Sequence, residues 1–262
     1  MSPYRYDRIF TKISVVAILV ACHFICVFVV RLACLSNLTR RRKIVIKLNR
    51  FWGDLLLKVI GFRIKREGVI PAGKSYFFVA NHLSYIDPLI MFASIPAIFI
   101  TSKEIGEDML LGTICRMGEC YFVERRNKFN IMNEIKDVGE YIKAGFNVAI
   151  FPEGRSTDGD RVWRFKSSFF QVALNEQADV LPICLQYTTI SNAKITPDNR
   201  DLVFWYDGRP FLAHFAKMLS QSEISVRVKV LAEIPQAGHD KNSLAAAARS
   251  TIVDTYEGVQ HS

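Results

Sequence analysis

The 262-residue chain contains no Gly-x-Ser-x-Gly segment, so the strand-to-helix elbow that exposes a hydrolase serine has no candidate. Its six cysteines, Cys22, Cys26, Cys34, Cys115, Cys120 and Cys184, form neither a disulfide framework nor a metal-ligand spacing. They lie in or beside apolar stretches and read as buried, reduced thiols. No metal site is expected. Zinc-finger spacings and RNA-binding signatures are missing too, so no nucleic-acid partner is expected despite a net charge of +9. Internal repeats, low-complexity tracts and an interdomain linker are absent. The length then suits one large domain with an appendage.

What remains is a basic and apolar chain, half of it hydrophobic, a balance that suits an anionic membrane surface. Ile13 to Val30 is an 18-residue run without a charge, just long enough to cross a bilayer as a helix. A cleaved signal peptide is the rival, but no small-x-small cleavage site follows, and Arg31 spoils Leu32-Ala33-Cys34 as a lipoprotein site. A shallow or re-entrant helix is the other alternative. Arg5, Arg8 and Lys12 precede the run; Arg31 and the cluster Arg40 to Lys43 follow it. The denser second cluster places the main domain on the cytoplasmic side. Ile44 to Ile60 reads as a basic amphipathic helix, with Ile44, Leu48, Phe51, Trp52, Leu55 and Val59 on one face. It suits the headgroup layer, or packing on the domain, or both. The expected division is an anchor over 1–36, an interfacial helix over 37–61 and an α/β domain over 62–262.

Within that domain, Tyr76 to Ala80 is an all-apolar run, hence a buried strand. It ends in Asn81-His82-Leu83-Ser84-Tyr85-Ile86-Asp87-Pro88. Histidine titrates near neutral pH, and a nearby carboxylate fixes its tautomer and raises its basicity. Five residues apart on one helix, His82 and Asp87 would sit about 140° around the axis and miss each other. They meet if His82 is on the loop and the helix starts at Ser84, with Pro88 in its first turn. The same octamer also fits a helix start resembling a capping box, with no chemistry at all.

A second buried run, Val148 to Phe151, ends in Pro152-Glu153-Gly154-Arg155-Ser156-Thr157-Asp158-Gly159. Two strand ends followed at once by polar residues is how open α/β sheets build sites. Further strands are expected at 62–66, 97–101, 121–123, 180–187, 202–206 and 225–231, with Pro182 at an edge or bulge. Helices are expected over 104–117, 128–144, from 165, over 211–219 and over 244–256. Strands alternating with helices argue a mixed sheet flanked by helices.

Four boxes then stand in order: Asn81-His82 with Asp87, Gly118 to Arg125 (Gly-Glu-Cys-Tyr-Phe-Val-Glu-Arg), Phe151-Pro152-Glu153-Gly154, and Val180-Leu181-Pro182-Ile183. In this, across roughly residues 60–235, the chain resembles the glycerolipid acyltransferases of the 1-acylglycerol-3-phosphate acyltransferase type. The family commonly has Glu-Gly-Thr-Arg-Ser and Phe-Lys-Lys-Gly. Here stand Glu153-Gly154-Arg155-Ser156-Thr157 and Phe165-Lys166-Ser167-Ser168, which look more like the branch acylating lyso-ornithine lipids or other lysolipids.

The resemblance implies a membrane-bound transfer of a fatty acyl group from acyl-CoA or acyl carrier protein to a lysolipid hydroxyl. No cofactor beyond that cosubstrate is implied. His82 would be the general base, oriented by Asp87. Asn81, Ser84, Arg125, Glu153, Gly154 and Arg155 would meet substrate, with Arg125 on an acceptor phosphate, where a guanidinium offers a planar fork. The alternative from another class is a non-catalytic lipid-binding relative.

Overall fold

The apolar N-terminal segment and the basic segment after it form two long helices, α1 (Tyr6–Ala33) and α2 (Leu38–Ile60), in the computed structural model, which describes residues 6–109, 111–124 and 131–258. The Asn37 side chain caps α2 by accepting the Arg40 N–H at 2.8 Å. Gly61 ends it with a left-handed turn, φ +102°, which is why a glycine stands there. The face of α2 that is buried carries Val45, Ile46, Asn49, Gly53, Leu57 and Ile60. This is offset from the apolar face expected from the sequence, where Phe51 is 62% exposed. The polar Asn49 belongs inside because its amide donates to the Gly118 carbonyl at 2.9 Å.

Both ends of α1 are tied to the same body. Near its start, Lys12 Nζ donates to the carbonyls of Ile60, Leu219 and Gln221 at 2.8, 3.0 and 3.0 Å. Near its end, the Arg31 guanidinium donates to the Arg116 carbonyl at 2.6 Å and to Glu119 at 3.2 Å. Glu119 also receives Arg41 at 3.2 Å. Along the helix Val27 is buried, while Phe10, Ile18, Ile25, Phe28, Val29 and Leu32 face outward. Ile9–Ala33 is long and apolar enough to cross a membrane, and almost none of it is buried.

The remaining strands are β1 (Phe62–Glu67), β2 (Phe77–Ala80), β3 (Ala97–Ser102), β4 (Tyr121–Val123), β5 (Asn147–Ile150), β6 (Val180–Ile190), β7 (Ala193–Lys194) and β8 (Ile224–Val230). The helices after α2 are α3 (Asp87–Ser94), α4 (Lys103–Glu107), α5 (Leu111–Met117), α6 (Ile131–Lys143), α7 (Phe170–Asn175), α8 (Phe211–Ser220) and α9 (Lys241–Val253). The strands form one mixed sheet in the order β1-β8-β6-β2-β5-β3-β4, with β7 beside β6. β2 pairs in parallel with both β5 and β6; β6 and β8 are antiparallel. Strand residues alternate between two cores. Phe78, Ala80 and Ala149 pack with α2, α3 and α8 on one face. Phe77, Val79, Val148 and Ile150 pack with α6, α7 and α9 on the other. The sequence-based fold class is the one observed.

Several local expectations differ. Residues 104–117 make two helices, because the Asp108 carboxylate accepts the Leu111 N–H at 2.7 Å and restarts the helix there. Phe165 does not open a helix; the Lys166 N–H donates to the Pro152 carbonyl at 2.9 Å, and α7 starts only at Phe170. Pro182 is inside the sheet, not at an edge. It lies just beyond the last regular β6–β8 pair, Ile183 with Val230, where a missing N–H is tolerated. Residues 202–206 are not a strand. After a 3-10 turn at Arg200–Leu202 they form a strap whose buried Val203 and Phe204 hold it down.

Candidate active site

The C-terminal ends of β2 and β5 lie side by side, with Val79 in register with Ile150. From β2 the chain leaves through α3 on one face of the sheet; from β5 it leaves through α7 on the other. Such a divergence opens a crevice at the strand ends. The two polar boxes fall into it because each follows its strand without a gap.

His82 Nδ1 lies 2.8 Å from Asp87 Oδ2. The same oxygen accepts the N–H groups of Leu83 at 2.5 Å and Ser84 at 2.8 Å. Oδ1 accepts the Tyr187 hydroxyl at 2.5 Å. Asp87 is fully buried. A buried carboxyl surrounded by so many donors acts as acceptor, so Nδ1 carries the imidazole proton and Nε2 is left with the lone pair. Burial and then the adjacent Asp87 carboxylate push the Tyr187 phenol well above its ordinary range, so it stays a donor. The imidazole stacks on Phe151, centroids 4.3 Å apart, and its side chain is 17% exposed.

The helix begins at Asp87, not at Ser84 as expected. The N–H groups of Leu83 and Ser84 turn inward to the carboxylate instead of opening a helix. The Ser84 hydroxyl donates to the Val203 carbonyl at 2.7 Å and is fully buried, so it is committed to the strap rather than facing a substrate. Asn81 is committed likewise: its amide donates to the Leu185 carbonyl at 2.9 Å and accepts the Leu185 N–H at 2.8 Å, locking the end of β2 to β6.

Glu153 is also internal. One oxygen accepts the His82 N–H at 2.8 Å and the other the Trp163 N–H at 2.9 Å. The His82 carbonyl in turn accepts the Thr157 N–H at 2.9 Å. Glu153 therefore holds the backbone that carries the imidazole. Gly154 adopts φ +77°, and a Cβ there would lie 2.6 Å from Lys166 Nζ, so this turn requires glycine. Arg155 is exposed and its guanidinium lies 4.2 Å over the Trp163 ring. Arg125 lies outside the described residues. The contributions of Tyr187 and the 202–206 strap carry no sequence signal, since each reaches the centre from far along the chain. Among the described residues no cluster of His, Cys, Asp and Glu could hold a metal.

Burial pushes the Glu153 carboxyl up to about 7 from 4.5. The two backbone N–H groups oppose this, and the Asp87 charge adds to it. A raised carboxyl pKa makes the folded state bind more protons than the unfolded one between those values. Stability is then greatest at the acid end, falls as pH rises through that window, and levels off above it. Glu153→Gln is expected to flatten the fall. Unfolding midpoints at pH 5 and pH 8 check this: wild type should lose roughly 2.5 kcal/mol more than the variant, at about 1.36 kcal/mol per unit. An unchanged slope in the variant assigns the proton to another group.

A model of the acyltransferase family matches residues 61–186. The lyso-ornithine lipid O-acyltransferase of Rhizobium meliloti (strain 1021) is 24% identical over 188 residues, covering 69% of this chain and 64% of that protein. Its counterpart from Brucella abortus (strain 2308) is 26% identical, covering 70% and 71%. The 1-acyl-sn-glycerol-3-phosphate acyltransferase of Neisseria meningitidis serogroup B is 33% identical over 153 residues, 56% of each chain. The crystal structure of the 1-acyl-sn-glycerophosphate acyltransferase PlsC from Thermotoga maritima matches with a TM-score of 0.70 over 96% of both chains. At 17% identity that likeness speaks for the fold.

Proposed function

Because the chain carries a domain of the acyltransferase family, we propose that it moves a fatty acyl group from a thioester to the free hydroxyl of a lysolipid, with His82 as general base. The observation that carries this reading is the 2.8 Å contact from His82 Nδ1 to the buried Asp87 carboxylate. It leaves Nε2 basic and fixed in a crevice.

A hydroxyl is a weak nucleophile at neutral pH. His82 Nε2 takes its proton as the oxygen attacks the thioester carbonyl carbon. Collapse of the tetrahedral intermediate breaks the carbon–sulfur bond. The departing thiolate recovers the proton from the imidazolium, which restores neutral His82. Asp87, hydrogen-bonded to Nδ1, steadies the imidazolium, and general-base help of this kind gives about 10²–10⁴-fold. The acceptor is itself the nucleophile, so no acyl-enzyme is required. Arg125 is proposed, from the family resemblance, to bind acceptor phosphate. The relatives named for lyso-ornithine lipid and for 1-acylglycerol-3-phosphate supply the two leading acceptors. The donor is acyl-CoA or acyl carrier protein.

The domain works on a membrane, and α1 lies along the surface instead of crossing it. Lys12 and Arg31 bracket the apolar run and both bind one folded body, which cannot be on two sides of a bilayer. The outward residues of α1 then enter the lipid.

The test is to incubate membranes holding wild type with labelled acyl thioesters and a panel of lysolipids, including lyso-ornithine lipid and 1-acylglycerol-3-phosphate. A labelled diacyl product is expected and names the acceptor. Label released as free fatty acid without acceptor would make the protein a thioesterase. No product from any pair would leave a lipid-binding relative.

A further inference from the structure

A cavity of about 1100 Å³ lies between the Glu153–Ser168 segment and α9, lined by Arg155, Arg164, Lys166 and Arg249. Among the described residues, Arg155, Arg164 and Lys166 pair with no carboxylate, whereas Arg31, Arg66, Arg200 and Arg209 each do. Arg249 is fixed by donating to the carbonyls of Val162 and Trp163 at 2.6 and 2.9 Å, and its charge also acts on the Glu153 carboxyl. The one carboxylate in the lining is Glu153, buried, with a backbone N–H on each oxygen. Arg155, Arg164 and Lys166 are exposed at this concavity and make it positive, and guanidinium and ammonium groups are strong phosphate donors.

The position narrows the choice of anion. α9 packs on the sheet face shared with α6 and α7, whereas α2 packs on the opposite face and α1 lies against α2 and α8. The cavity therefore opens away from the helices that meet lipid. It is nevertheless separated from the His82 backbone only by the Glu153 carboxylate, which bonds His82 on one oxygen and Trp163 on the other. With α1 seated on the membrane as proposed above, a lysolipid comes from the α1–α2 side. A water-soluble thioester has to reach His82 from elsewhere, and it brings phosphates.

We infer that this cationic cavity holds the phosphate of the acyl donor's phosphopantetheine arm, whether that arm is borne by a nucleotide or by a carrier protein. The inference rests on the transferase reading above and adds to it the docking place of one substrate. Arg164 and Lys166 are the residues assigned to that contact, with Arg155 beside them.

The experiment uses the full chain in lipid nanodiscs and the double variant Arg164→Gln/Lys166→Gln. The KM for acyl-CoA is expected to rise about tenfold or more, the scale of one charge-assisted bond, with the KM for the lysolipid unchanged. The charge-preserving Arg164→Lys/Lys166→Arg should recover most of the loss. Acyl-pantetheine, which lacks phosphate, should be used equally by wild type and variant. Equal losses with acyl-CoA and acyl carrier protein place the shared phosphopantetheine phosphate in the cavity. A loss with acyl-CoA alone assigns the contact to the nucleotide phosphates and overturns the placement of the phosphopantetheine phosphate. A rise in lysolipid KM instead, or no change in either KM, overturns the inference. Calorimetric titration with free coenzyme A reads the same contact without turnover. Binding unaffected by the double variant overturns the site, whereas binding without acyl transfer in wild type counts against the transferase reading alone.

Discussion

His82→Ala is expected to lower acyl transfer by about a thousandfold while leaving the fold in place. The two effects separate because the residue's structural ties run through its backbone. The N–H goes to Glu153 and the carbonyl to Thr157, and both survive truncation. What is lost is the imidazole, with its basic Nε2 and its stacking on Phe151 at 4.3 Å, the latter worth about 1 kcal/mol. Asp87 keeps two backbone N–H groups and the Tyr187 hydroxyl. Initial rates with a labelled thioester, read beside the unfolding midpoint, check both halves. Near-wild-type transfer by the variant would remove His82 from the mechanism. A collapsed midpoint would make the imidazole a structural element.

Asp87→Ala is expected to abolish transfer as well, and in addition to cost about 3–5 kcal/mol of stability. The carboxylate is fully buried and collects four donors. Alanine would leave the N–H groups of Leu83 and Ser84 and the buried Tyr187 hydroxyl without an acceptor, each costing about 1–3 kcal/mol. The loop would also lose what sets the imidazole tautomer. Asp87→Asn preserves volume but turns an amide N–H toward donors, so an intermediate stability with strongly reduced activity is expected. Denaturant titration of the three proteins measures the order. If Asp87→Ala proves as stable as wild type, the carboxylate does not hold the loop. The double variant with His82→Ala should be no less active than either single one, because both changes remove one working unit.

The centre itself was legible in the sequence because its parts are local. Two all-apolar runs end in polar residues, and the His82–Asp87 spacing forces a loop before the helix. What makes the centre rigid was not legible. Tyr187 reaches Asp87 across 100 positions and the strap's Val203 reaches Ser84 across 119; no spacing rule covers such distances. Residues 202–206 alternate as a strand would, yet single bonds to the His82 and Glu153 loops, such as Trp205 N–H to the Leu83 carbonyl at 3.1 Å, hold them in another shape. Asn81, Ser84 and Glu153 stand out in the sequence as polar residues beside a reactive one, but their internal partners Leu185, Val203, His82 and Trp163 come only with the fold. A polar residue beside a reactive one can face the substrate or face inward, and only the fold decides which. The buried face of α2 was displaced for a related reason: Asn49 counts as polar in a sequence and as interior once Gly118 accepts its amide.

The two ties on α1 have a consequence for the lipid surroundings. Lys12 and Arg31 are nineteen residues apart on one helix, roughly 28 Å at 1.5 Å per residue, close to the thickness of a hydrocarbon core of about 30 Å. A helix of that length crossing a bilayer would tilt or stretch to match it. Under the proposed seating along one leaflet, α1 takes its length from the protein it is clamped to. The spacing then measures the distance from the ends of α2 and α8 to Glu119, and bilayer thickness drops out. One residue inserted between the clamps would turn one of them about 100° away from its partners, whereas thicker or thinner membranes would leave the seating unchanged.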